Sequence, residues 1–434
     1  MGHARCGRTA NFRRPVWLAV LLAVCAAAAA AQTETVIYTF QGGNDGYYPE
    51  FTPLILDAAG NLYGTTNNGG GDACSGSYPG CGMIFQLAPP AEPGGAWTEN
   101  VIWQFQGGAD GGYPGGLFVQ NGTLIGQTST GGSGTCSNGF GCGYIFELVP
   151  PAAPGGSWTK NILYSFPDNE KVCAISTMDA AGNFFGEGGS LFGSICEIKP
   201  PGGPGGSWTV TNLYTFKGVL PFLPIGDGAY PNAVTFDSLG NLWGTTSSGG
   251  FCQRYEGGQC FGTVFELTPP SQPGGAWTET VVYRFHPIDQ ATYDGVVFGP
   301  SGALYGITET LVFQLNGPFL TPIDTFANSQ TDGIAPTGGV VFDAAGNLYG
   351  TTGGGGQFNN GTVYKLAPPG NGRGQWTQTT LHSFAGSPDG QNPEGPLTLG
   401  PGGVIYGTTQ IGGNQGCPFE AGGTGCGTVF QVIP

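Results

Sequence analysis

One short phrase returns seven times along this 434-residue chain, at Leu62-Tyr63-Gly64, Leu124-Ile125-Gly126, Phe184-Phe185-Gly186, Leu242-Trp243-Gly244, Leu304-Tyr305-Gly306, Leu348-Tyr349-Gly350 and Ile405-Tyr406-Gly407. Its glycines are 62, 60, 58, 62, 44 and 57 residues apart. That spacing is too long for a solenoid turn and suits a four-stranded blade with its loops. The chain therefore reads as one repeated unit.

The unit that starts at Tyr230 parses most cleanly. Pro231 to Phe236 is a short apolar strand, Asp237-Ser238-Leu239-Gly240-Asn241 a tight turn, and Leu242 to Thr246 a second strand. A glycine-rich loop with two cysteines follows, and then Gly262 to Leu267 alternates as a third strand. The run from Pro269 to Gly275 breaks that strand, since proline cannot donate to a ladder. Trp277 to Phe285 is the fourth. No segment keeps a helical period over a useful length, so the expected class is all-β.

The two ends of the chain predict a ring. Fourth-type strands end at Phe40, Phe105, Phe166, Phe216, Phe285, Phe326 and Phe384, yet the first of them precedes every other strand. The last unit stops at Pro434 after a third-type strand. The N-terminal strand should therefore complete the last blade and close a seven-bladed β-propeller of four-stranded blades, which hides the sheet edges that an open row would expose. The domain spans 32–434, with blades at about 41–105, 106–166, 167–216, 217–285, 286–326, 327–384, and 385–434 plus 32–40. From channel to rim, the expected order is the Tyr-Pro strand, the Tyr-Gly-Thr-Thr strand, the Gly-Thr-Val-Phe strand and the Trp-Thr strand. The cysteine-bearing loops and the loops that lead into each innermost strand then share one face.

Residues 1–31 read as an export signal: Arg5, Arg8, Arg13 and Arg14, an apolar run from Val16 to Ala30, and small residues up to Ala31. Arg13-Arg14 could also serve a twin-arginine route, and Leu22-Ala23-Val24-Cys25 faintly resembles a lipoprotein box. No second apolar stretch of about 20 residues follows, so no membrane span is expected. Past residue 31, 28 acidic residues face eight basic ones, a formal charge of −20 that repels nucleic acid and anionic lipid. The expected location is outside the cytoplasm, extracellular or periplasmic, and the expected state a monomer.

Ten cysteines lie beyond residue 31, eight of them as close pairs at one place in the unit: Cys74/Cys81, Cys136/Cys142, Cys252/Cys260 and Cys417/Cys426. Local disulfides of an oxidising compartment are expected. Cys173 and Cys196 remain and should pair across two strands of the third unit. Only His286 and His382 lie beyond the signal and no cysteine pair has ligand-like spacing, so neither a metal nor a cofactor is expected.

Phe40 to Gly46, Asp57 to Thr66 and Gly361 to Leu366 resemble the GloVer tandem repeat. That repeat belongs to secreted proteins described as choice-of-anchor tandem-repeat GloVer-containing. The resemblance runs over essentially the whole chain beyond the signal. It implies surface or extracellular placement with no settled biochemical activity. The chain departs from the pattern in ending at Pro434 without a sorting tail, which puts attachment to the cell in doubt.

Asp-Gly recurs before the innermost strand at Asp45, Asp110, Asp227, Asp294, Asp332 and Asp389. By symmetry these carboxylates would circle the channel mouth and could bind a cation or sugar hydroxyls. The competing reading is turn chemistry, with the carboxylate accepting backbone N–H bonds. Tyr48, Tyr113 and Tyr230 follow three residues after an aspartate, each before a proline, and could stack on a sugar ring or wedge between blades. The third unit deviates from the consensus, and its Glu170, Lys171 and Glu187 would meet on the cysteine-loop face. They could serve acid–base chemistry on a polysaccharide or be solvated loop charges. The fifth unit has lost its long loop, which would open a notch lined by Arg254, Tyr255 and Glu256.

Nucleophile-elbow, phosphate-cradling and zinc-protease motifs are all missing. The expected function is a rigid extracellular binding or structural scaffold for a glycan or an extracellular protein. The alternative is a carbohydrate-active lyase or hydrolase.

Overall fold

The computed structural model describes residues 33–49, 52–71, 74, 80–136, 140–153, 155–168, 172–203, 206–218, 226–252, 260–272, 274–326, 331–370, 374–417 and 424–434. The expected export signal lies outside them, as do Glu170, Lys171, Arg254, Tyr255 and Glu256. Thr33–Pro434 is one compact unit. It is all-β, a seven-bladed propeller of four-stranded antiparallel sheets.

Blade 1 runs from Ile55–Leu56 through Leu62–Thr66 and Met83–Ala88 to Thr98–Gln104. The next five repeat that meander: blade 2 from Gly112–Gln120 to Thr159–Ser165, blade 3 from Cys173–Met178 to Thr209–Thr215, blade 4 from Ala229–Pro231 to Thr278–Arg284, blade 5 from Val297–Phe298 to Phe319–Thr325, and blade 6 from Ile334–Phe342 to Thr377–Ser383. Blade 7 takes Thr398–Leu399, Ile405–Thr409 and Thr428–Ile433 from the end of the chain and Thr33–Thr39 from its beginning. The pairing runs from Thr33 opposite Ile433 to Thr39 opposite Thr428.

First strands of neighbouring blades touch, which places them where the blades converge. Val234 N–H donates to Ser176 Oγ at 3.1 Å, Thr337 Oγ1 to the Pro393 carbonyl at 2.9 Å, and Thr398 Oγ1 to the Leu54 carbonyl at 2.6 Å. Only the Ala229–Pro231 and Thr235–Phe236 stretches of the continuous strand expected from 231 to 236 pair with the ladder. The gap is occupied by Asn232, whose Nδ2 turns to the Thr245 hydroxyl and to the Thr292 carbonyl of blade 5.

The repeated words of the sequence are halves of one packing unit. In six of the seven blades the glycine of that phrase lies opposite an aromatic of the third strand, as Gly64 does Phe85, Gly126 Phe146 and Gly244 Phe265. A Cβ at Gly126 would sit 2.8 Å from the Phe146 ring, so the glycine is what lets the ring lie over the sheet. The phenylalanine that ends the previous blade then packs edge-on against that ring, as Phe40 on Phe85 at 5.2 Å and Phe384 on Phe430 at 5.1 Å. Blade 3 has no such ring. There Gly186 faces Cys196, which is bonded to Cys173 across the intervening strand, so a disulfide fills the volume.

Seven apolar clusters result, one at every junction, including that between blades 7 and 1. Fully burying each phenylalanine supplies about 2–3 kcal/mol, so the ring is held between blades as much as within them.

Two polar devices repeat as well. In the turns after the first strands, Asp57, Asp179, Asp237 and Asp343 each accept the backbone N–H groups two and four residues on, and the amide of the following asparagine. At the start of five blades, the residue before a proline takes a left-handed conformation: Tyr48, Tyr113, Tyr230, Ala335 and Asn392, with φ between 54° and 59°. For a non-glycine this costs about 1–2 kcal/mol. It turns the N–H to the preceding blade, so that Tyr48 donates to the Cys426 carbonyl at 3.1 Å and Tyr113 to the Cys81 carbonyl at 2.7 Å.

All five expected disulfides are present, as Cys74–Cys81, Cys136–Cys142, Cys173–Cys196, Cys252–Cys260 and Cys417–Cys426. Those of Cys81 and Cys426 fix the carbonyls that the strained residues need. The pair in blade 4 departs from the plain loop staple expected of it. Cys252 and Cys260 also face each other as an isolated antiparallel bridge, with Cα atoms 4.1 Å apart, and the Cys260 carbonyl accepts the Ser248 hydroxyl at 3.4 Å. Cys260 thus extends the ladder between the second and third strands beyond its expected end at Thr246.

Candidate functional site

The Asp-Gly carboxylates stand away from the channel. Asp45 accepts the Gln41 N–H at 2.6 Å and the Tyr38 hydroxyl at 2.5 Å, and Tyr38 lies on the outermost strand of blade 7. Asp227 repeats this with Lys217 N–H and Tyr214, and Asp110 accepts Gln106 N–H and pairs with Lys160. Asp389 accepts Ala385 N–H at 2.8 Å and lies 3.0 Å from His382 Nε2. Each closes a turn between the outer strands of two blades, which is the turn-chemistry reading. Asp332 bonds the Thr331 hydroxyl, and its carbonyl accepts from Gln378 of its own blade's outermost strand.

Asp294 is the exception and corrects the alignment of the fifth unit. There the turn is closed by Asp289, which accepts the His286 N–H at 2.9 Å and the Tyr283 hydroxyl at 2.8 Å, as Asp45 does for Gln41 and Tyr38. Asp289-Gln290 stands where other units have Asp-Gly, with Gln290 at φ 66°, and the missing glycine hid the equivalence. Asp294 instead sits at the inner end, where the Gly339 N–H of blade 6 bonds its carboxylate and its own carbonyl accepts Thr245 Oγ1 of blade 4 at 2.6 Å. Burial pushes its carboxyl up to about 6.

Glu187, expected to meet Glu170 and Lys171 on the cysteine-loop face, lies on the second strand of blade 3, between Ala174 and Ile195, while the other two fall outside the described residues. Burial pushes it up to about 7 against the opposing hydrogen bond of Ser176. One carboxylate oxygen is buried without a partner among the described residues.

The three tyrosines divide. Tyr48 is 3% exposed and wedged in the core between blades 7 and 1, Tyr113 is half-buried, and Tyr230 is 57% exposed. A second exposed ring lies outside the set that the repeat pattern singles out. Tyr293 is 64% exposed and donates to Glu309 Oε1 at 3.1 Å. Asn232, two residues after Tyr230, bonds the carbonyl of Thr292, next to Tyr293, which ties the two backbone segments together across blades 4 and 5. Glu309 lies in the Thr308–Thr310 turn, all that is left of the long loop in the fifth unit. Truncation of that loop is the signal that pointed here.

A cavity of about 930 Å³ lies between blades 5 and 6, lined by Tyr305, Phe342 and Trp376 with Gln314 and Asp324. Grooves of about 540 Å³ with Tyr63 and Trp158, and of about 560 Å³ with Phe185 and Trp277, repeat it between blades 1 and 2 and blades 3 and 4. Their recurrence marks them as a packing feature of the unit.

No protein-family model matches the chain, and no curated protein does. Among solved structures it is similar to the extracellular domain of a hybrid two-component system protein from B. thetaiotaomicron. The TM-score there is 0.50 at 12% identity, over 93% of this chain and 41% of that one. It is also similar to Pseudomonas fluorescens PhoX in complex with vanadate, with a TM-score of 0.46 at 11% identity over 93% and 95% of the two chains. An oxidoreductase (glucose dehydrogenase) from Thermus thermophilus scores 0.40 at 15% identity over 93% and 100%. At such identities the likeness speaks to the fold, and the fold defines the class: a β-propeller. Among the described residues no helix is long and apolar enough to cross a membrane.

Proposed function

We propose that this protein is a secreted, rigid binding scaffold that holds a glycan at the mouth of blades 4 and 5. Kinship with the GloVer repeat is part of the same reading. The observation that carries it is the exposure of two tyrosine rings at blades 4 and 5, Tyr230 and Tyr293, the second bonded to the carboxylate of Glu309 where the fifth unit has lost its covering loop. Tyrosine faces stack on the apolar side of a sugar ring while a carboxylate takes its hydroxyls. The five disulfides suit an oxidising location outside the cytoplasm.

Affinity electrophoresis in gels cast with a panel of polysaccharides tests this. Retardation by one polymer is expected, falling about tenfold in affinity in Tyr230→Ala/Tyr293→Ala with the melting temperature unchanged. Equal retardation of the variant would place the site elsewhere. A second reading, a carbohydrate-active lyase or hydrolase, draws on Glu187 and Asp294, carboxyls that burial pushes up to about 7 and about 6, toward the range a general acid needs. Turnover of the retarding polymer that is lost in Glu187→Gln would favour it.

A further inference from the structure

Several blade junctions repeat one trio: an outer-strand side chain of the earlier blade, the aspartate of the connecting turn, and the second residue of the later blade's outermost strand. At the junction of blades 7 and 1 these are Tyr38, Asp45 and Glu99, and at that of blades 1 and 2 Trp103, Asp110 and Lys160. At the junction of blades 6 and 7, where the chain closes on itself, the trio is His382, Asp389 and Glu34. The other cluster of possible ligands among the described residues, Cys136, Cys142 and Asp168, has its two sulfurs joined in a disulfide.

Their geometry suits a small cation. His382 Nε2 lies 3.0 Å from Asp389 Oδ2 and 3.8 Å from Glu34 Oε2, and the three donor atoms fall within 4.8 Å of one another. Ligands held at 2.0–2.2 Å around zinc in a tetrahedron stand about 3.3 Å apart, so small side-chain shifts would close the set. The Glu34 side chain is only 10% exposed, and its Oε1, like Asp389 Oδ1, is buried with no hydrogen-bond partner. Leaving two such oxygens unsatisfied is costly, and a cation would satisfy both. Asp389 is already oriented by the Ala385 N–H, and His382 is packed edge-on against Phe384 at 4.7 Å. His382 and Asp389 keep 21% and 17% of their side chains exposed, leaving a path for the ion and for water ligands.

We propose that Glu34, His382 and Asp389 form a binding site for a divalent cation of the zinc class, which clasps the N-terminal strand to blade 6 at the seam of the ring. One imidazole with two carboxylates favours such an ion over magnesium or calcium, which take oxygen donors. The ion would neutralise two buried carboxylates and join segments more than 340 residues apart in sequence. Scarcity of histidine argues against zinc in the sequence alone, and the fold supplies the missing ligands from a distant strand.

The test uses the full folded protein after EDTA and dialysis. Titration calorimetry with zinc chloride should show one site per chain, zinc should raise the melting temperature by several degrees, and cobalt should give visible d–d absorption. His382→Ala should abolish all three signals, and the near-isosteric Glu34→Gln should weaken binding at least tenfold while its metal-free circular dichroism matches wild type. His286→Ala should leave binding intact. Absence of saturable binding at millimolar zinc, or equal binding by wild type, His382→Ala and Glu34→Gln, would overturn the proposal.

Discussion

The junctions between blades 1 and 2 and between blades 6 and 7 share a plan and balance it in opposite ways. At the first, Lys160, 8% exposed, pairs with Asp110, donates to Tyr144 Oη at 2.7 Å, and lies over the Trp103 ring at 4.9 Å. At the second, the register position of Lys160 is taken by Glu34, and that of Trp103 by His382. One cleft carries its own cation and the other gathers carboxylates. The main-chain stitches differ as well: Tyr113 donates to Cys81 in a disulfide-stapled loop, Asn392 to Asn360 in an unstapled one. A repeat thus fixes where side chains meet and leaves each junction free to choose its charge.

The largest expected effect tests the self-contained junction. Lys160→Ala strands the Asp110 carboxylate in a half-buried cleft and should cost about 3 kcal/mol in urea unfolding, whereas a loss under about 1 kcal/mol would show the pair to be incidental. Removing the staple beside it, as Cys74→Ser/Cys81→Ser, should cost about 2.5 kcal/mol by the same measurement. Glu34→Lys carries the charge pattern of blades 1 and 2 to the ring seam and should stabilise metal-free protein by about 1 kcal/mol, a gain that a screened surface pair would not give. The smallest effect concerns pH. At the junction of blades 7 and 1, burial and then the charge of Asp45 push Glu99 up to about 7, so the native state keeps a proton that the unfolded chain releases near 4.5. This contribution is full below about pH 4.5 and is lost as pH rises to about 7. The urea midpoint should decline over that window in wild type and stay flatter in Glu99→Gln.

Much of the architecture was legible because the repeat states it seven times. Blade number, strand order and disulfide pairing all follow from words whose spacing is regular, and the same words turned out to be the glycine and ring of one packing unit. What escaped notice had no local signature. The left-handed tyrosines look from sequence like ordinary pre-proline residues, and only the carbonyl of the preceding blade explains them. Asp294 passed for a turn residue because Asp289 lacks its glycine. Glu34 and His382 meet through closure alone, although glutamate at the equivalent positions 34, 99 and 279 was a visible recurrence that the repeat alignment could have used.

Thr33–Thr39 has no sheet to join until the far end arrives: the strand opposite it is Thr428–Ile433, almost the whole chain away. During synthesis, this strand must therefore wait with both hydrogen-bonding flanks bare. Six blades can assemble in order behind it, but the seventh forms only when the final segment emerges. Any factor that shields nascent β edges would find its longest-lived client in the Thr33–Thr39 strand.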